Sequence, residues 1–137
     1  MAQILPFEGQ LPRIDPTAYI AESAVIIGKV TIGANANIWP NAVIRGDENR
    51  ITIGNNVSIQ DNCTIHTEPD QPVTIGDNTL IGHNTIVHCQ TIGKGCLIGM
   101  GSILMNYTTI GDETIIGAGT VVTQHKTIPP RSMVYGT

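Results

Sequence analysis

Branched aliphatic residues recur every six positions along most of this 137-residue chain, and the pattern restarts about every 18 residues. Gly, Asn and Asp, which favour tight turns, separate short stretches of Ile and Val, which favour strands. Three short strands per repeat predict an all-β fold, a parallel β-helix of about seven triangular coils forming one domain over residues 1–137. The isoleucines that lead successive coils are Ile14, Ile32, Ile53, Ile75, Ile92, Ile110 and Ile128.

Two lengthened coils and one shortened coil interrupt this repeat. The insertions fall at residues 45–50 and 66–72, and the shortening falls at residues 88–91. Each irregularity follows the third aliphatic residue of its coil, so all of them are expected at the same corner of the prism. Departures from a regular pattern are where functional residues are expected, because a local rule is broken there for a reason.

Position within the coil predicts which side chains stack. Counted from the leading isoleucine, Arg45, His66 and His88 all occupy position 14, whereas Asp61 and His83 both occupy position 9. Adjacent coils lie about 4.8 Å apart, so His66 and His88 should approach closely enough to share a metal ion. His83 leaves the coil from a different face. We therefore expect His66, His83 and His88 to meet at one ion only when His83 comes from a neighbouring copy of the chain.

The predicted contact between copies joins two different surfaces and therefore has to close into a ring. A triangular prism closes most naturally as a homotrimer with equivalent sites between its subunits. Three imidazoles without a cysteine ligand suit Zn²⁺, and Fe²⁺ or Co²⁺ are also compatible. Three protein ligands leave a position open for water, which is typical of a catalytic site.

Composition excludes several other classes of function. The net charge of −4 argues against nucleic-acid binding, which needs a clustered basic face, and no apolar run is long enough to span a membrane. An odd number of cysteines without a CxxC pair suggests a reducing, cytoplasmic setting. Cys63 and Cys96 fit small buried positions. Cys89, next to His88, is either a buried filler or an oxidation-sensitive thiol, and His125 is expected to be an ordinary surface histidine.

The repeat and the histidine motifs together resemble the gamma-class carbonic anhydrases, members of the hexapeptide-repeat superfamily. The resemblance extends over roughly residues 11–136 and implies that the β-helix is left-handed, although the general rule for parallel crossovers would favour a right-handed coil. The stretches that carry it are residues 43–47, 59–62, 65–66, 81–88 and 97–101.

This resemblance implies reversible hydration of CO₂ to bicarbonate, by attack of a metal-bound hydroxide at sites between subunits. It assigns His66 and His88 to one subunit and His83 to the next, which agrees with the stacking argument. Gln60 would orient the hydroxide or the substrate.

A network at the subunit interface is also implied by the resemblance. Arg45, Asp47 and Asp61 would form it, and an Arg–Asp pair across subunits would hold the two half-sites in register.

Two features depart from the family pattern. The segment after His66 is short, so Glu68 and Asp70 are the candidates for the acidic proton shuttle. The C-terminal helix with which the family usually continues is expected to be absent or minimal here.

Two alternative functions remain open. One is an acyl-CoA-linked enzyme, a thioesterase or acyltransferase, in which Arg50, Lys94 and Lys126 could contact the CoA phosphates. The other is a catalytically weak scaffold or assembly subunit that retains the metal site.

Overall fold

The computed structural model describes residues 1–137 and contains strands and turns but no helix, so none of its elements is a helix able to cross a membrane. Parallel strands wind into a left-handed β-helix of about seven coils, which confirms the predicted fold class. The strands are β1 (Gln3–Leu5), β2 (Arg13–Ile14), β3 (Tyr19–Ile20), β4 (Val25–Ile32), β5 (Asn37–Ile38), β6 (Val43–Ile53), β7 (Ser58–Ile59), β8 (Thr64–His66), β9 (Val73–Ile75), β10 (Leu80–Ile81), β11 (Ile86–Val87), β12 (Thr91–Ile92), β13 (Leu97–Ile98), β14 (Ile103–Leu104), β15 (Thr109–Ile110), β16 (Ile115–Ile116), β17 (Val121–Val122), β18 (Thr127–Ile128) and β19 (Met133–Val134).

The strands form the faces of a triangular prism. Face one contains β2, β9, β12, β15 and β18; face two contains β3, β5, β7, β10, β13, β16 and β19; face three contains β1, β8, β11, β14 and β17. The long strands β4 and β6 turn the corner from face three to face one, so these two faces form one hydrogen-bonded sheet. That corner is the one at which the sequence places its insertions, and we call it the irregular corner.

Columns of aliphatic side chains fill the interior. Ile75, Ile92 and Ile110 pair in register across β9, β12 and β15, and each is at most 1 % exposed. Small residues fill the space inside the corners, and Cys63 and Cys96 are among them, as predicted. Close packing of branched side chains and their removal from water hold successive coils together.

Asparagines in the left-handed region of backbone conformation form many of the corners. Asn62 and Asn84, for example, have φ angles of 63° and 57°. Asn is one of the few non-glycine residues that adopt this conformation readily. The Asn84 N–H donates to the Asp61 carbonyl of the preceding coil over 3.0 Å. His83 therefore lies at the corner between faces two and three, directly before this fixed turn.

The outer surfaces of the faces differ in polarity. Face one presents a row of threonines, one for each coil from Thr31 to Thr127. Face two exposes Leu97 and Met133, and face three exposes Ile86 and Ile103. Contiguous exposed apolar side chains are typical of surfaces that contact another protein.

Truncating a column residue should destabilise the fold far more than truncating its outward neighbour. Ile92→Ala removes a fully buried side chain, and we expect its unfolding free energy to fall by about 2–5 kcal/mol because a cavity remains. Thr91→Ala, one residue away on the outer surface, is the control and should change the unfolding free energy by less than about 1 kcal/mol. Urea denaturation followed by circular dichroism measures both, and equal losses would contradict the assigned register.

Candidate metal centre

The strand register places Arg45, His66 and His88 in one column at the irregular corner. Arg45 pairs with His66 across β6 and β8, and Ile65 pairs with Val87, which puts His66 beside His88. The two imidazole ring centroids are 5.3 Å apart, and the ring planes are inclined by 54°. The sequence spacing therefore predicted this stack correctly.

The first insertion brings a carboxylate onto His66. Asp47 Oδ1 lies 2.9 Å from His66 Nε2, and Arg45 donates to Asp47 Oδ2 over 2.6 Å. Burial opposes ionisation of Asp47, but hydrogen bonds from His66, the Glu48 N–H and Arg45 outweigh it and hold the pKa of Asp47 below its usual value. Arg45 and Asp47 pair within strand β6 because both side chains leave it on the same side. The Arg–Asp pair across subunits that the resemblance implies stays a prediction.

The second insertion brings a carboxylate onto His88 in the same way. Residues 68–71 form a tight hairpin in which the Glu68 and Gln71 backbones exchange hydrogen bonds of 3.2 and 3.0 Å. The hairpin folds over the next coil and places Glu68 Oε1 2.9 Å from His88 Nε2. The buried Gln71 amide donates to the His88 carbonyl over 3.4 Å. His88 is therefore fixed through both its ring and its backbone.

The second column, Asp61 and His83, lies at the corner between faces two and three. His83 Nδ1 is 3.3 Å from Asp61 Oδ1, and both side chains are roughly half exposed. Gln60 precedes Asp61 at this corner and lines an apolar groove with Leu97 and Met100. Gln60, Asp61 and His83 thus lie together, but on a different edge from the histidine pair.

Within one copy of the chain, no three His, Cys, Asp or Glu side chains are arranged to hold a metal ion. His66 and His88 supply two neighbouring imidazoles, and Asp47 and Glu68 supply negative charge beside them. Imidazole nitrogens are common zinc ligands, and hydrogen-bonded carboxylates hold such rings in orientation. The donor set at the irregular corner therefore fits one half of a metal site.

Sequence reasoning did not identify the contacts made by Gln71 and Tyr107. The Tyr107 hydroxyl donates to Asp70 over 2.7 Å, and its ring stacks on His125 with centroids 5.1 Å apart. Tyr107 lies at the irregular corner in a later coil. Its position in the repeat could therefore have placed it near the inserted segments. His125 is exposed and lies outside the histidine pair, as predicted.

Cys89 is a buried filler and not a thiol facing the site. It follows His88 but points into the core with no exposed surface, and burial raises the pKa of its thiol to about 12. Burial also raises the pKa values of Cys63 and Cys96. Thiolates are the reactive form of cysteine, so these three residues are protected from oxidation.

Comparison with known proteins agrees with the repeat. The sequence model of the family bacterial transferase hexapeptide (six repeats) matches residues 12–46 and 91–124. The family model for the hexapeptide repeat of succinyl-transferase matches residues 72–106. A crystal structure from Bacillus cereus, of a gene product assigned as an acetyltransferase, superposes with a TM-score of 0.97 at 42% identity, covering 98% of this chain and 78% of that one. The chain belongs to the hexapeptide-repeat family.

Curated relatives of this hexapeptide-repeat protein carry different functional names. A carbonic anhydrase of Geobacillus kaustophilus (strain HTA426) is 44% identical over 103 residues, which are 75% of this chain and 57% of the relative. The carnitine operon protein CaiE of Escherichia coli O157:H7 is 41% identical over 100 residues, which are 73% of this chain and 51% of CaiE. The chain thus spans a little over half the length of the curated relatives it matches.

The burial of Cys89 predicts that thiol reagents will not reach it in the folded protein. With a pKa of about 12, only about one thiol in ten thousand is ionised at pH 8. We expect no rapid reaction of native protein with a disulfide reagent, and reaction of all the cysteines in urea. Thr74→Cys, which places a thiol on the outer surface of face one, is the positive control. A rapid native reaction that Cys89→Ala abolishes would contradict the assigned burial.

Proposed function

We propose that this hexapeptide-repeat protein is a metal-dependent enzyme that hydrates CO₂ reversibly to bicarbonate, with each active site between two subunits of a homotrimer. The observation that carries the proposal is the pair His66 and His88, whose ring centroids lie 5.3 Å apart in one column. His83, from the opposite edge of a neighbouring subunit, is the third ligand. Zn²⁺ is the expected metal, and Fe²⁺ or Co²⁺ are compatible with the same ligands.

The surface between the two histidine columns supports association through this edge. Face three lies between the corner that carries His83 and the corner that carries His66 and His88. Its exposed residues Ile86 and Ile103 are apolar. Burying them against other copies around a threefold axis would bring the His83 corner of one copy to the histidine pair of the next. Hexapeptide-repeat proteins commonly form trimers.

The roles of the residues follow from their positions. His66, His88 and His83 would hold the metal, and a zinc ion bound there would supply a nucleophile for CO₂ at neutral pH. Asp47 and Glu68 hold the His66 and His88 rings by hydrogen bonds of 2.9 Å. Hydrogen bonds from His66 and Arg45 hold Asp47 in place and lower the pKa of its carboxyl group.

Residues beside the three histidines would transfer protons and orient the substrate. Glu68 is partly exposed next to His88, so it can pass protons between the site and solvent. Gln60 lies on the His83 edge. In the trimer its side-chain amide would orient the substrate beside the histidine pair of the neighbouring subunit. Asp61 holds His83 through its Nδ1 atom.

The relative named as a carbonic anhydrase favours this function over the acyl-CoA alternative. The acetyltransferase assignment of the Bacillus cereus protein supports that alternative. Near the histidine pair, however, the Arg45 guanidinium is already paired with Asp47 and is not free for a CoA phosphate. The buried thiols suit a reducing compartment, and a cytoplasmic location is part of the proposal.

Removing one ligand should abolish CO₂ hydration. We expect zinc- or iron-loaded protein to accelerate hydration in stopped-flow assays, and His88→Ala to lower kcat/KM by more than about a hundredfold because the metal loses a ligand. His125→Ala, which alters the histidine outside the site, is the control and should retain activity. Trimers that bind metal but accelerate neither CO₂ hydration nor acyl-CoA turnover would identify a scaffold, whereas acyl-CoA turnover alone would favour the alternative enzyme.

Mixed trimers test whether the ligands come from two subunits. His83→Ala subunits retain the histidine pair, and His66→Ala subunits retain His83. In a closed ring, each mixed trimer regains one complete site where a His83→Ala subunit donates its pair to a His66→Ala neighbour. Random assembly from equal amounts of the two variants should restore about one quarter of the wild-type metal content.

Each variant alone should bind little metal, as measured by elemental analysis after gel filtration. If mixing restores nothing although mass spectrometry shows mixed trimers, the ligands do not cross between subunits.

A further inference from the structure

A second pocket lies on face one, near the start of the β-helix and away from the histidine columns. Its volume is about 220 Å³, and no acidic residue lines it. Three of the seven Lys and Arg residues of the chain surround it, although the chain as a whole carries a net charge of −4. The polar residues that line it are Gln10, Arg13, Lys29, Thr31, Arg50 and Thr52.

The strand register explains why these cations converge. Arg13 pairs with Thr31 across β2 and β4, so it occupies the outward position that later coils fill with threonine. Val30 pairs with Ile51 across β4 and β6. Lys29 and Arg50, which directly precede that pair, therefore leave adjacent coils side by side.

None of these three cations has a partner within the chain. The ion pairs of the protein involve other groups. Arg13, Lys29 and Arg50 are all exposed. Like charges held at one pocket repel one another, and an anion between them would remove that repulsion.

We propose that this pocket binds a phosphate group, either inorganic phosphate or the phosphate of a small phosphorylated compound. A multiply charged anion matches three cations better than a singly charged one does. Guanidinium groups bind phosphate oxygens in pairs, and the Thr31 and Thr52 hydroxyls and the Gln10 amide lie among the lining groups to donate to the remaining oxygens. The volume is below the roughly 300–1,000 Å³ of pockets for larger ligands, so the bound group is small.

None of the residues that line this pocket belongs to the histidine site. The pocket lies on face one, whereas the exposed apolar residues proposed to associate, Ile86 and Ile103, lie on face three. Phosphate binding therefore does not depend on the histidine site, and either proposal can fail without the other.

Calorimetric titration of the metal-free 137-residue chain with inorganic phosphate at low ionic strength tests the assignment. We expect saturable binding, and Arg50→Gln should weaken it by about tenfold or more because a charge-assisted hydrogen bond is lost. Lys29→Gln is a second variant at the pocket. Arg131→Gln removes the same charge as Arg50→Gln at an exposed position away from the pocket and is the control, with an expected change of less than about twofold. Circular dichroism verifies that each variant is folded.

Glycerol 3-phosphate identifies the source of the phosphate. Tighter binding than inorganic phosphate indicates a phosphorylated compound, and equal or weaker binding indicates the free ion. The proposal is overturned if phosphate does not bind, if Arg131→Gln weakens binding as much as Arg50→Gln does, or if bicarbonate binds as tightly as phosphate.

Discussion

The hydrogen-bonded register between successive coils is the constraint on which the rest of this structure depends. It stacks Ile75, Ile92 and Ile110 into a closed interior column. Because strand side chains alternate between the two sides, a slip of one residue would turn every aliphatic of a coil outward. The same register fixes which side chains share an edge. Core packing and site geometry therefore have one common cause.

Corners can be lengthened without disturbing that register. After the insertion at residues 45–50, β6 returns to register and pairs Ile53 with Ile75, and after the hairpin at residues 68–71 the aliphatic column continues. The insertions supply Asp47 and Glu68, the two carboxylates beside the histidine pair. A solenoid can in this way acquire polar chemistry at one corner while its hydrophobic interior remains unchanged.

Charge is distributed unevenly over the same few coils. Asp47 contacts His66 and Glu68 contacts His88, whereas Arg13, Lys29 and Arg50 line a pocket that has no acidic residue. Strand β6 contributes to both regions, through Asp47 and Arg50. The family includes proteins assigned as transferases and as a carbonic anhydrase, so the fold alone does not define the chemistry, which depends on the residues placed at these edges.

The sequence by itself determined the coil, its register and the two histidine columns, because a fixed hydrophobic period leaves one way to bury the aliphatic residues. It also indicated that His66 and His88 would be neighbours and that His83 would lie on another edge. Only the tertiary structure decided the contacts of Glu68 with His88 and of Arg45 with Asp47 within one strand. The Glu68 contact depends on how an inserted segment folds over the next coil, and the Arg45 contact depends on the other insertion continuing strand β6. Insertions have no period from which either outcome could be read.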